Sequence, residues 1–503
     1  MKTNKFLYIA ILAISLVAFG CKKSYLDTTP NDSVTDENLY DNAAGCRSVL
    51  DGMARLMSTT GAALSTKGST AQHDDFGHMS IVLQEDVMSA DVVCAANDYD
   101  WFGNLYKFQT HRNALYRDAI VAWALYYKLI NSANLLLANI DKATGDANEL
   151  NEIRGEAYAW RAWCYSKLAI YYCKTYSLGL NSPGVPIYTT PTTSTTKGNP
   201  RGTVGDVYDR ITVDIDSAIA LIEGSGITVT NKSYISLATA YGIHAEVSLV
   251  MNKWADAEKY SDLAIQTVGG ASKLMDSATY RNSGFRDATN SEWMWASQLS
   301  ASQTDDYGII CFMSFVDASN PSSYAGGGGT FRKIPKYLFD KIKTGDVRKT
   351  TFDNARKQRK FYMVDYGTWI YDNLYMRLAE MYLIKAEAQA QQSNIADATT
   401  TLETLVKKRN SGYSFATTPY TGGTNLLEEI YLQRRIELFL EGKAFSDMVR
   451  LKKPLSRPLG TGNFDLTTCG VAELPANSDE FLFKIPQSEM DNNASLNGSD
   501  QNP

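Results

Sequence analysis

Three short stretches set aromatic rings beside carboxylates or amides: Asn97-Asp98-Tyr99-Asp100-Trp101, Asp305-Asp306-Tyr307, and Asn320 to Tyr324. A ring face beside hydrogen-bonding side chains suits a ligand with an apolar face and a rim of hydroxyls, as a pyranose has. Asp74, within His73-Asp74-Asp75, adds another candidate carboxylate. That stretch and His78 could suggest a metal site, but the preferred reading is a hydrated loop. Sequence signatures of hydrolytic or phosphate chemistry are absent: there is no HExxH, no GxSxG, and Gly326 to Gly329 lacks the Lys-Ser/Thr of a phosphate loop. A carboxylate pair for glycoside hydrolysis is defined by spatial separation, which sequence alone leaves open. The expected site is Asp74, Asp98, Tyr99, Trp101, Tyr307 and Tyr324, with no catalytic residue, metal or cofactor.

The start of the chain reads as an address. Lys2 and Lys5 precede an apolar run from Phe6 to Phe19, and Gly20-Cys21 ends it. The run suits a secretory signal and is short for a membrane span. A small residue directly before Cys makes Cys21 the expected lipidation site, and several acyl chains on one residue anchor stably. Residues 1–20 are thus a signal peptide and 21–36 a lipid-anchored leader. The net charge of −6 and the lack of a basic stripe argue against a nucleic-acid partner. Six further cysteines are sparse, with no CxxC, so neither a zinc site nor a disulfide framework is expected.

The elements that must position these residues are mostly helical. Apolar residues at three-and-four spacing mark helices over 115–140 and 147–173, and Thr203 with Asp206 forms a capping-box pattern opening another. Gly179 to Pro200 reads as a loop. Two later segments repeat one design of helix, tight polar turn and helix. The first turns at Met251-Asn-Lys-Trp254, with Ala257 one turn in; the second turns at Gln392-Ser-Asn-Ile395, with Ala398 one turn in. A small residue there lets antiparallel helices approach closely, as in tetratricopeptide-like hairpins. Between the pairs, 270–370 is irregular, rich in Gly, Ser, Asp and aromatics; its Trp293, Trp295, Tyr307, Phe312, Tyr324 and Trp369 argue for order. Arg377/Glu380 and Arg434/Glu437 are expected to pair along their helices.

Several motifs in order resemble the SusD/RagB nutrient-binding lipoproteins. They are Arg377-Leu-Ala-Glu380-Met-Tyr-Leu-Ile-Lys-Ala-Glu387-Ala388; the run from Ile430 through Gln433-Arg434-Arg435-Ile-Glu437-Leu438 to Glu441-Gly442, with Asp447-Met-Val-Arg450; and the closing Phe483-Lys-Ile-Pro486-Gln-Ser-Glu489 and Gln501-Asn502-Pro503. Upstream, Arg154-Gly-Glu156-Ala to Tyr172, Pro183-Gly-Val-Pro-Ile187 and Thr203 to Ile222 follow the same pattern. Gln433 and Ala444 stand where the family usually has Glu and Arg, and Lys22-Lys23-Ser24 precede the first acid, where relatives are acidic after the Cys. The resemblance implies a mostly α SusD-like fold with tetratricopeptide-like hairpins and an irregular, loop-rich ligand-binding region. The body, 37–503, would divide into a helical part (37–269), a variable region (270–370) and a C-terminal part (371–503).

It further implies an outer-membrane lipoprotein facing the cell surface. Such a protein captures oligosaccharide and delivers it to a SusC-like TonB-dependent transporter. The alternatives are a lipid-anchored glycoside hydrolase and a helical-repeat assembly factor without a small ligand.

Overall fold

The computed structural model describes residues 39–67, 70–95, 99–299 and 308–503. Cys21, the signal segment, the leader, Asn97, Asp98, Asp305, Asp306 and Tyr307 lie outside them.

The longer helices are α1 (Ala43–Leu56), α2 (His78–Met88), α3 (Arg117–Asn139), α4 (Ala147–Tyr172), α5 (Val204–Ser225), α6 (Leu237–Val250), α7 (Trp254–Val268), α8 (Leu378–Gln391), α9 (Ile395–Arg409), α10 (Leu426–Glu437) and α11 (Ala444–Arg450). Among the described residues, four two-stranded antiparallel ribbons tie the connections together. β1 (Val93–Cys94) pairs with β5 (Arg332–Lys333), β2 (Pro183–Pro186) with β3 (Arg201–Thr203), and β4 (Trp293–Ser297) with β6 (Asn373–Arg377); a ribbon at Leu455–Ser456 and Glu473–Leu474 completes the set. The fold is the mostly α one expected. Consecutive helices pack in pairs, α4 on α5, α6 on α7 and α8 on α9, and α7 against α8 joins the last two pairs. α3 is long and apolar enough to cross a membrane by length and composition, yet more than half of its most apolar stretch is buried, as in a core helix.

Both hairpins turn in the same way. Asn252 and Ser393 adopt left-handed backbone (φ 57° and 65°) at the turn. Lys253 N then bonds Ser248 O, and Asn394 N bonds Gln389 O, both at 2.9 Å. Ala257 and Ala398 are fully buried where the helices meet. Any larger side chain there would overpack the contact, typically a cost of ~1–3 kcal/mol. The expected Thr203 capping box is present: Asp206 N donates to Thr203 Oγ1 (3.1 Å) and Thr203 N to Asp206 Oδ2 (2.8 Å).

Three expectations are corrected. The 179–200 loop contains β2, because Pro183–Pro186 finds a partner in β3. Trp293 and Trp295 fall in the segment read as irregular, yet they are in regular structure. They sit on β4, and Trp295 meets Trp160 and Trp163 edge-to-face in the core. The two presumed intrahelical ion pairs do not form. Arg377 ends β6 in extended backbone (φ −144°), so its side chain does not run along α8 beside Glu380. Arg434 bonds Asp447 across to α11 (Nε to Oδ2, 2.8 Å) and approaches Glu380 instead of Glu437.

Arg377 and Glu437 instead share one buried cluster. Arg377 Nη1 donates to Glu292 Oε1 (2.6 Å) and Glu437 Oε1 (2.7 Å), and its Nε to Glu441 Oε2 (2.8 Å). Arg409 Nη2 reaches Glu292 (3.0 Å) and Glu437 (2.9 Å), and Arg348 Nη1 reaches Glu437 Oε2 (3.2 Å). Gln433, despite its departure from the family pattern, accepts from Arg348 (2.8 Å) and donates to Glu429 (2.9 Å). Burial alone would raise the Glu437 carboxyl, but Arg409, Arg377 and Arg348 hold it well below the usual carboxylate range.

Glu437→Gln should therefore destabilise the protein by ~3–5 kcal/mol, because three guanidiniums lose their shared charge. Since the native pKa is depressed, this contribution is fully present above the unfolded value of about 4.3 and is lost as pH falls towards the native one. The gap in unfolding free energy between wild type and variant should narrow as pH drops below about 4. A gap of constant size across that range would contradict the assignment.

Candidate functional site

The described candidate residues meet around the turn at 99–102. Asp100 anchors that turn. Its two carboxylate oxygens accept from Arg332 Nη2 (2.8 Å) and Nη1 (2.9 Å), a buried bidentate pair. Arg332 lies on β5, where Cys94 of β1 is opposite it in the register. The ion pair therefore closes the turn against the β1–β5 ribbon, and Asp100 serves as an anchor for the rings beside it. Asp100 Oδ1 also accepts from Phe102 N (3.2 Å).

Trp101, half-buried, stacks on His73 with ring centroids 4.7 Å apart and planes 16° from parallel. The Arg117 guanidinium lies 5.3 Å from the Trp101 ring, a cation–π distance. Arg117, the first residue of α3, is held by Asp74, whose two oxygens each lie 3.0 Å from its Nε. Asp74 itself is only 1% exposed. Burial pushes its carboxyl up, against the lowering effect of Arg117.

Tyr324 completes the group. Its ring stacks on Phe315 (4.7 Å, 8°) and its hydroxyl is hydrogen-bonded to His73 Nδ1. Burial holds His73 below its ordinary value, so the imidazole is neutral at pH 7 and can accept at Nδ1. Burial raises the Tyr324 hydroxyl, against hydrogen bonding with Trp101. Tyr99 is close enough to Tyr324 to add to that rise and is 64% exposed.

Two glycines permit this arrangement. Gly77 (φ 75°) lets His78 N bond Met57 O (2.8 Å), and a Cβ there would lie 2.4 Å from that carbonyl. In the glycine run, a Cβ on Gly326 would lie 1.9 Å from Asn320 O, so the turn carrying Tyr324 closes only without a side chain.

The structure thus brings together Asp74, Tyr99, Trp101 and Tyr324. Sequence reasoning missed His73, Arg117, Phe315 and Arg332. His73-Asp74-Asp75 read as a hydrated loop, yet Asp74, Asp75 and His78 are buried: Asp75 accepts from Leu64 N (2.8 Å), and His78 bonds the Tyr126 hydroxyl (3.0 Å). The apolar Phe76 within that polar run was the available signal. Among the described residues no group of three His, Cys, Asp or Glu side chains could hold a metal ion.

Two family models match the chain. One, described as "Starch-binding associating with outer membrane", covers residues 26–249, and one described as "SusD family" covers residues 356–503. No curated protein sequence matches. Among solved structures, a SusD-like carbohydrate binding protein from Bacteroides vulgatus ATCC 8482 superposes with a TM-score of 0.79 at 25% identity, over 92% of this chain and 99% of that one. A SusD superfamily protein from Bacteroides thetaiotaomicron VPI-5482 gives a TM-score of 0.75 at 22% identity, over 92% of this chain and all of that one. The surface glycan-binding protein A of Bacteroides fluxus gives 0.67 at 18%, over 92% and 99% of the two chains. The fold defines a helical-hairpin scaffold presenting an aromatic cluster on its connecting segments. The chain belongs to the SusD/RagB family.

Arg332→Met removes one half of a buried pair and leaves Asp100 uncompensated, which typically costs ~3–5 kcal/mol. Amide hydrogen exchange should accelerate at 99–102 and along β1 and β5 while the α8–α9 hairpin stays protected. Uniform acceleration, or none at 99–102, would mean that another contact holds the turn.

Proposed function

We propose that this protein is a non-catalytic binding protein that captures oligosaccharide through Tyr99, Trp101 and Tyr324. It passes the ligand to a SusC-like TonB-dependent barrel in the outer membrane. The observation that carries the reading is the stack of His73 on Trp101 joined to Tyr324, with the solvent-exposed ring of Tyr99 beside it. Rings already packed against their neighbours lose little freedom on binding, so a shallow sugar face finds a preformed surface. Asp98 and Tyr307 belong to the same proposal as ligand contacts, and Asp74 acts through Arg117.

Binding fits the cluster better than hydrolysis does. The two described carboxylates beside the rings, Asp74 and Asp100, each face a guanidinium. A general acid or base needs a side chain within reach of the bond being cleaved, and Asp74 is closed off from solvent. The family description of outer-membrane association, together with Gly20-Cys21 at the end of the apolar run, supports an anchor through Cys21 and a surface location.

A glycan panel should return saturable binding without product formation. Tyr99→Ala should weaken the best ligand by about 5- to 150-fold, the loss of an aromatic contact of ~1–3 kcal/mol, with an unchanged melting temperature. Trp101→Ala should weaken binding similarly and also lower the melting temperature, because its ring packs on His73 and Arg117. Unchanged affinity in both variants would move the site elsewhere.

Cys21→Ser should leave the protein out of the detergent phase and without the acyl mass increment, and the wild type should copurify with a large barrel from mild detergent. A Cys21→Ser variant that keeps both properties would rule out the anchor.

A further inference from the structure

A second pocket lies on α3, ~15–25 Å along the helix from Arg117 at 1.5 Å per residue. It encloses about 170 Å³ between Tyr127, Ile130 and Asn131 of α3, the 188–198 segment, and Glu489 near the C-terminus. At about 30 Å³ per water this is room for five or six waters, the scale of one small ring.

Most of its polar groups are already satisfied. Tyr127 donates to Pro186 O (2.7 Å), and Asn131 Oδ1 accepts from Thr192 N (2.8 Å) and Thr192 Oγ1 (3.1 Å). Asn134 Nδ2 donates to Tyr188 O and Thr190 O, both at 3.1 Å. Two groups are not. The Tyr188 hydroxyl accepts from Asn199 N (3.1 Å), and its own proton has no acceptor among the described residues. Glu489 Oε1 accepts from Asn493 Nδ2 (2.8 Å), while Oε2 has no hydrogen bond and the carboxylate no ion pair among the described residues. Glu489 is near enough to both rings to raise the Tyr127 and Tyr188 hydroxyls, after the larger effect of burial.

A half-buried carboxylate with no cation, flanked by two tyrosine rings, is a complement for an ammonium group, through a charge-assisted hydrogen bond and ring-face attraction. The idle Tyr188 hydroxyl adds a donor for a neighbouring oxygen. We propose that this pocket binds the primary ammonium of a small ligand, carried either by an amino sugar or by the free amino end of an amino acid. It is separate from the aromatic cluster at Trp101 and does not depend on the reading given to it.

The test is calorimetric titration of the full chain with glucosamine, N-acetylglucosamine and alanine amide. Glucosamine should bind saturably and N-acetylglucosamine, which lacks the charge, at least about tenfold more weakly. Alanine amide binding as tightly as glucosamine would assign the ammonium to a peptide or amino-acid source; weaker binding would assign it to the sugar. Glu489→Gln can still accept from Asn493, and it should erase the preference for the charged form. Trp101→Ala should leave that preference intact. The proposal is overturned if glucosamine and N-acetylglucosamine bind alike, if neither amine binds saturably, or if a folded Glu489→Gln keeps the preference.

Discussion

Glu437 accepts hydrogen bonds from three buried guanidinium groups, each from a different part of the chain. Arg377 stands at the junction of β6 and α8, Arg409 at the end of α9, and Arg348 in the irregular region between the hairpins. Glu292, just ahead of β4, bridges Arg377 and Arg409, while Lys360 and Arg377 share Glu441. Buried charges survive only when paired and hydrogen-bonded. A shift of any one element would strand a charge, so the cluster fixes the relative positions of both ends of the second hairpin and of the segment that returns to it. This is a specificity device: hydrophobic side chains of the same volume could fill the space but would not dictate which ends meet.

The aromatic cluster depends on the same logic at smaller scale. Its rings come from the segment before α2, the turn after β1 and the turn after Phe315, none of which is a regular element at the ring itself. Two ion pairs hold them, Asp100 with Arg332 and Asp74 with Arg117. Both carboxylates sit next to a ring in sequence, Asp100 beside Trp101 and Asp74 beside His73. Each fixed charge therefore sets the position of its neighbouring aromatic, and the cluster is organised before any ligand arrives.

The sequence made the helices legible because their signals are local. The periodicity over 115–140, the Thr203 box and the two alanine-bearing turns all act within a few residues, and the structure reproduces them to within one or two positions. The rings of Trp101 and Tyr324 could be singled out, since an aromatic beside amides and acids on a loop is a local pattern. The partner of each charge could not. Asp100 and Arg332 are 232 residues apart, and Arg377 and Glu437 are 60 apart. Spacing three along a helix suggested the wrong partners for Arg377 and Arg434, because burial favours whichever opposite charge the tertiary fold brings into line. His73 was hidden for the same reason, its polar neighbours concealing that Trp101 and Tyr324 would pack against it.

The most direct measurement is the crystal structure of the protein with its best oligosaccharide from a glycan panel, set against the structure without it. The account predicts a sugar ring in van der Waals contact with Tyr99 or Trp101, ~3.5–4 Å from ring carbons. His73, Trp101 and Tyr324 should keep the same rotamers in both structures. A sugar bound away from these residues, or a cluster that assembles only when the sugar is present, would contradict it.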